Sequence, residues 1–182
     1  GNTFPLFSTS PATARALVLA MFDSFVLDFV ARQKVPGLHL NFVHVKQFPV
    51  LDQAEFSKEC PWSTKTIREW VETRVVRLSY TATDMAAMAR GLGYEGPPFR
   101  WNVAEREHLM AELDAAFFHL YGVERDDVDY IMETFPIVKR KDIAAHGEYR
   151  TKRLILEIYD AMAEAEKTGV PYVSPFDEAG ER

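Results

Sequence analysis

The sequence predicts a mainly α (α+β) fold, a helical bundle with one short strand or hairpin near residues 38–46. Three observations predict it. Apolar residues recur at helical spacing in four separated stretches, most clearly at Leu109, Leu113, Ala116, Phe117 and Leu120. Residues that start and stop helices stand at the ends of those stretches. Strict period-two alternation occurs at one place, where Leu38, Leu40 and Phe42 interleave with His39 and Asn41.

Residues 1–10 read as a linker or cloning remnant, with Phe4, Leu6 and Phe7 free to pack. The chain opens on Gly1 and not Met, which suggests an excised piece of a longer protein. Residues 11–167 form a single mostly helical domain, divided into a helix-plus-strand segment (11–51) and a helical bundle (64–167). Ser10-Pro11 is an N-cap followed by proline at the first helical position, and the helix runs to about Lys34. Its apolar residues, Leu17 to Val30, cover nearly all sides, so it belongs between packed layers. Pro36-Gly37 turns the chain into the strand, and Pro49 ends pairing there. Asp52 to Ser63 is a connector with one helical turn. Ser63 or Thr64 caps the next helix, 64–80, whose face is Ile67, Trp70, Val71, Arg74, Val75 and Leu78. A short helix follows at 84–92, with Asp84 as cap. Asn102 caps a helix to Tyr121, and Gly122 ends it. Asp126 to Glu133 is a short helix closed by Pro136, and Lys141 to His146 forms a turn. Glu148 or Tyr149 opens the last helix, which runs to about Lys167 with Leu154, Ile155, Ile158, Tyr159 and Met162 inward. Residues 168–182 read as a frayed tail.

With 182 residues, 47% of them hydrophobic, the chain is long enough to bury a sizeable core. Cys60 is the sole cysteine, which excludes a disulfide framework and a cysteine-rich metal site. No apolar run approaches the ~18 residues of a membrane span, and no signal peptide is evident, so no membrane partner is expected and the protein is expected to be cytoplasmic. The net charge of −6 argues against a general nucleic-acid coat. That charge is uneven. Between Lys139 and Arg153, six cations (Lys139, Arg140, Lys141, Arg150, Lys152, Arg153) face two acids, a net +4, which leaves −10 for the rest. One basic patch on an acidic body suits local phosphate contact; a charge run also serves as a solvated helix face.

No catalytic constellation is present. The five histidines, His39, His44, His108, His119 and His146, have no metal-ligand spacing. Asp126, Asp127 and Asp129 imitate part of a calcium loop but lack its glycine and terminal glutamate; acids at a helix N-terminus explain them. No elbow or flanking motif supports a Ser-His-Asp or Cys-His site. The chain alone is expected to hold no metal, no cofactor and no catalytic residue.

The segments "Asp-Phe-Val-Ala-Arg-Gln-Lys", "Leu-Asn-Phe" and "Lys-Gln-Phe-Pro-Val" within residues 28–50 carry a resemblance. It resumes at Trp101 and continues through "Ala-Ala-Phe-Phe-His-Leu-Tyr-Gly", "Asp-Tyr-Ile-Met-Glu-Thr-Phe-Pro-Ile-Val" and "Gly-Glu-Tyr-Arg-Thr-Lys-Arg-Leu-Ile-Leu-Glu-Ile-Tyr". Taken in this order, from about residue 17 to 165, they resemble the C-terminal region of large DNA N6-adenine methyltransferases of fused restriction-modification and BREX- or DISARM-type phage-defence systems. The resemblance implies a DNA-facing or target-recognition-associated domain, with S-adenosylmethionine and catalysis in an upstream methyltransferase domain and DNA as the partner of the whole enzyme. Gly96-Pro97-Pro98-Phe99 imitates the Asn-Pro-Pro-Tyr/Phe motif with which such enzymes bind a flipped base, but Gly96 has no amide to offer, so the stretch reads as a turn. Asn41, Lys46, Gln47, Lys139, Arg140, Lys141, Arg150, Lys152 and Arg153 are the candidate DNA-binding residues. The alternative is a helical scaffold that packs on other domains and never touches DNA.

Overall fold

The computed structural model describes residues 11–35, 37 and 40–177. Among them the mainly α architecture holds throughout: ten α-helices, no strand, and one isolated antiparallel bridge between Glu59 and Thr66. The helices are α1 (Ala12–Phe22), α2 (Phe25–Lys34), α3 (Phe42–Val45), α4 (Gln53–Phe56), α5 (Ile67–Ser79), α6 (Ala86–Gly91), α7 (Val103–Leu120), α8 (Arg125–Glu133), α9 (Pro136–His146) and α10 (Arg150–Thr168). None of the described helices is long and apolar enough to cross a membrane.

The helix expected over 11–34 is two helices. Asp23 and Ser24 interrupt it, and the break is held by side chains. Ser24 Oγ donates to the Met21 carbonyl at 2.7 Å and accepts the Leu27 N–H at 3.4 Å, while Asp114 accepts the Phe25 N–H at 2.8 Å. Donors that a helix start leaves unpaired are thereby satisfied.

The strand expected near 38–46 is corrected. Leu38 and His39 lie outside the described residues, but Phe42 to Val45 form a helical turn. Its backbone bonds are local: Val45 N–H to Asn41 O at 3.1 Å, Lys46 N–H to Phe42 O at 3.0 Å and Phe48 N–H to Val45 O at 3.1 Å. Alternation marks a strand only where another strand completes its ladder, and no described residue supplies one. Phe48 buries itself against Phe22, 6.1 Å between ring centroids, and anchors the segment in the core.

Thr66, rather than Ser63 or Thr64, caps α5. Thr66 Oγ1 accepts the Glu69 N–H at 3.2 Å and Glu69 accepts the Thr66 N–H at 2.8 Å, a reciprocal capping box. These bonds, backbone first, lower the Glu69 pKa. A 3-10 turn at Thr83–Met85 leads into α6, so Asp84 lies inside that turn and not at a cap. α6 sits hard against α1, where a Cβ on Gly91 would meet the Ala12 Cβ at 2.6 Å.

Asn102 caps α7 as the sequence predicts, accepting the Glu105 N–H at 3.2 Å. α7 is the axis of the bundle, buried on nearly all sides from Leu109 to Phe118, with α10, α5 and α2 packed around it. Phe117 and Phe118 are fully enclosed, and Trp62 and Trp70 meet edge to face at 5.7 Å and 85°. Pro136 starts α9 at its first position rather than merely closing α8, so α9 is a full helix and not the turn expected at 141–146.

Residues 170–177 do not fray. Tyr172 N–H bonds the Trp62 carbonyl at 2.9 Å, Ser174 is buried, and Asp177 meets Arg74. Residues 178–182 lie outside the described set.

Candidate nucleic-acid interface

The basic run is spread over α9 and the first turn of α10, which Gly147 separates by ending α9 in the left-handed region, φ 77°. Four of its six cations are paired. Lys139 Nζ lies 2.6 Å from Glu133, and Lys152 Nζ lies 2.6 Å from Glu133 and 2.9 Å from Asp129, both acids on α8. Arg153 spans Glu148 at 2.9 Å and Glu157 at 3.0 Å. Arg150 turns away from these and meets Glu107 of α7 at 2.8 Å.

Lys139, Lys152 and Arg153 line one open cleft of about 520 Å³, which the Arg125–Asp160 pair also borders. The pairs set the local titration. Hydrogen bonds from Lys139 and then Lys152 hold Glu133 below the usual carboxylate range, and Arg153 does the same for Glu148. Burial opposes the Lys152 ammonium, but Glu133 and Asp129 outweigh it and raise its pKa. A cleft in which each of these cations already holds a carboxylate has little charge left for phosphate. Arg140 and Lys141 differ: both are exposed on α9 and make no ion pair among the described residues.

Asn41, Lys46 and Gln47 are all exposed around α3. Asn41 occupies the α3 N-cap, its backbone N–H 3.4 Å from His44 Nδ1, and the Gln47 amide donates to the Val43 carbonyl at 3.0 Å. Among the described residues no hydrogen bond or ion pair joins this group to the cations of α9 and α10.

The Gly96-Pro97-Pro98-Phe99 loop behaves as a turn. The Phe99 N–H bonds the Tyr80 carbonyl at 2.8 Å, and its ring stacks on Tyr94 at 4.6 Å. A Cβ on Gly96 would meet the Tyr94 ring carbon Cζ at 2.6 Å, so the asparagine of the methyltransferase motif does not fit there without the ring moving. The described residues contain no group of three His, Cys, Asp or Glu side chains placed to hold a metal ion. His119 stacks on Tyr159 with ring centroids 3.8 Å apart and donates from Nε2 to its carbonyl at 3.0 Å; burial lowers its pKa and keeps it neutral.

Sequence reasoning passed over the most polar part of the core. Arg74 and Glu112, each at most 2% exposed, pair at 2.7 Å. Arg74 also lies 3.8 Å over the Trp70 ring. Tyr172 donates to Glu112 at 2.9 Å, and His108 Nε2 is 3.2 Å from the same oxygen. Burial alone would raise the Glu112 pKa, but the bonds from His108, Arg74 and Ser174 together lower it. Every member has partners, so the network is built to hold α5, α7 and residues 172–177 together rather than to receive a ligand. Its signal was present in the sequence. Arg74 stands in the apolar stripe of α5, and Glu112 stands between Leu109 and Leu113 in the most buried half of α7. No family model matches the chain, and no curated protein or solved structure is significantly similar to it.

Proposed function

We propose that this chain is a helical packing module of a larger DNA N6-adenine methyltransferase, mounting the upstream catalytic domain without a catalytic centre of its own. The enzyme class rests on the resemblance of residues 17–165. The packing role rests on one observation: Lys139, Arg150, Lys152 and Arg153, the core of the expected DNA patch, are already neutralised by Glu133, Asp129, Glu107, Glu148 and Glu157. The motif "Gly-Glu-Tyr-Arg-Thr-Lys-Arg" then serves to bolt α10 to α7 and α8. S-adenosylmethionine belongs, in this reading, to the upstream domain; micromolar stoichiometric binding of it to this chain in a calorimeter would contradict that.

A second reading, direct contact with DNA phosphate, is favoured at Arg140 and Lys141, which are both exposed on α9 and make no ion pair among the described residues. Each phosphate neutralised adds about 0.9 to the log–log salt slope of binding. In the full enzyme, Lys139→Ala, Arg140→Ala and Arg153→Ala combined should lower the melting temperature and leave the salt slope nearly unchanged. A slope that falls by about two to three with stability intact would overturn the packing reading in favour of the DNA-facing one.

A further inference from the structure

Among the described residues, one stripe of α7 is only partly covered by neighbouring helices. Val103, Arg106, Met110 and Asp114 follow one another at three- and four-residue spacing and so share a face. Val103 and Met110 are more than half exposed, as is Trp101 just before the helix. Beside the stripe lies a slot of about 280 Å³ between α1, α5 and α7, walled by Leu19, Val75, Leu78, Met110 and Leu113. A second hollow of about 290 Å³ continues it towards α9 and α10, and Met110 and Asp114 belong to both. The two make one trough along α7, walled by apolar side chains beside α1 and α5 and by Phe25, Val138 and Leu154 together with Glu107, Asp142 and Arg150 beside α9 and α10, and open to solvent at Leu19 and Met110.

Its floor is acidic. Asp114 is 7% exposed and lines both hollows; Oδ1 accepts the Phe25 N–H, but Oδ2 has no hydrogen bond among the described residues. Asp23 stands at the rim, also without a side-chain partner there. Burial raises the pKa of both, and Asp23 adds to the rise at Asp114. Both arginines that line the trough are committed: Arg150 pairs with Glu107 at 2.8 Å, and Arg106, at the far end, donates to the Leu78 carbonyl at 2.6 Å with its guanidinium 3.8 Å from the Trp101 ring. Two helical turns, about 12 Å, separate it from Asp114 along the axis. The trough thus offers apolar walls beside α1 and α5 and an uncompensated carboxylate pair, which a buried cation on an apolar element would complete.

We propose that this trough docks a lysine-bearing amphipathic helix of the neighbouring methyltransferase domain, its ammonium placed between Asp114 and Asp23 and its apolar face covering Leu19, Val103 and Met110. The inference rests on the packing reading above and names the surface through which that packing occurs. A lysine suits the site better than an arginine, because a compact charge on a flexible stem reaches a narrow floor without needing a planar fork of acceptors.

Carbodiimide cross-linking and hydrogen exchange on the full-length enzyme test it, with the isolated chain as reference. The expected result is a zero-length cross-link from Asp23 to a lysine outside this chain. Exchange over residues 19–24 and 103–110 should slow at least about tenfold relative to the isolated chain. Met110→Glu should abolish both while leaving the melting temperature of the isolated chain intact; Tyr130→Glu, on the exposed side of α8, should change neither. A cross-link from Asp23 to a second copy of this chain would replace the proposed partner. Protection elsewhere on the chain but not along the trough would refute the docking site and leave the packing reading standing. No protection anywhere would refute both.

Discussion

Asp114 illustrates how one buried carboxylate couples folding to pH. It is raised to about 7, burial being the largest cause, opposed by the Phe25 N–H bond and reinforced by Asp23. Its unfolded value is near 3.9. A folded pKa above the unfolded one means that the native state binds the proton more tightly, so this stability is present at low pH and is lost as pH rises through 7. Asp114→Asn keeps an oxygen for the Phe25 N–H and removes the charge. The isolated variant should therefore melt with the wild type near pH 4 and above it at pH 8, by roughly 1–3 kcal/mol in stability; equal melting curves at pH 8 would refute the assignment. Arg74 and Glu112 behave oppositely, since each needs the other. Arg74→Met or Glu112→Leu alone should cost about 3–5 kcal/mol and the double substitution much less, because it leaves no unpaired buried charge; equilibrium urea unfolding of the four proteins measures the coupling. Cys60 is simpler. Burial pushes its thiol up to about 11, so it should resist alkylation at neutral pH until the chain unfolds.

At the scale of elements, the positions legible in the sequence are those where local chemistry decides. Asn102 caps α7 and Gly122 follows its end, as composition alone suggests. Of the stripe expected to face inward on α10, Ile155, Ile158, Tyr159 and Met162 are buried and Leu154 is half-buried, while Leu156 and Ala165 are buried as well. Phe117 is fully enclosed, so Phe117→Ala should remove about 3–5 kcal/mol. Elements that depend on distant partners were not legible. Five alternating residues from Leu38 to Phe42 look like a strand, but a strand needs a neighbour, and Asn41 with local bonds turns the chain into α3 instead. The run Ala16 to Val30 looks like one helix; Ser24, the cap of the second, was a local signal, but Asp114, 89 positions from Phe25, which takes the Phe25 N–H, was not. Ser24→Ala should confirm the break as capped, costing about 1 kcal/mol in thermal unfolding, with Asp114 retaining the remaining bond to Phe25. Of the candidate site, residue types were legible but not their partners. Lys139, Lys152 and Arg153 were visible as a cluster; Glu148 and Glu157, which hold Arg153, are its near neighbours in sequence, while Glu133 and Asp129, which hold the two lysines, stand on α8.

At the scale of the whole molecule, the net charge of −6 frames what those cations do. α8, α9 and α10 meet around Glu133, which takes Lys139 from one side and Lys152 from the other. Changing both lysines to alanine takes the net charge to −8 and leaves Glu133 and Asp129 facing each other without a cation. Glu133 is held below its ordinary pKa by Lys139 first and Lys152 second, so its contribution to stability is present above the unfolded value near 4.3 and lost as pH falls through the lower folded value. The groups are largely solvent-exposed, which limits the expected loss to about 1 kcal/mol. The double variant should therefore melt below the wild type at pH 7 in low salt. The gap should narrow in high salt, where repulsion between the freed acids is screened, and close as pH falls through the lowered folded value of Glu133, where that carboxylate is protonated in both proteins. DNA contact by these two lysines predicts a different pattern: an unchanged melting temperature at every pH and a shallower salt slope for the full enzyme on its DNA. Thermal scans at two pH values and two salt concentrations distinguish a cluster that holds three helices together from one kept for phosphate.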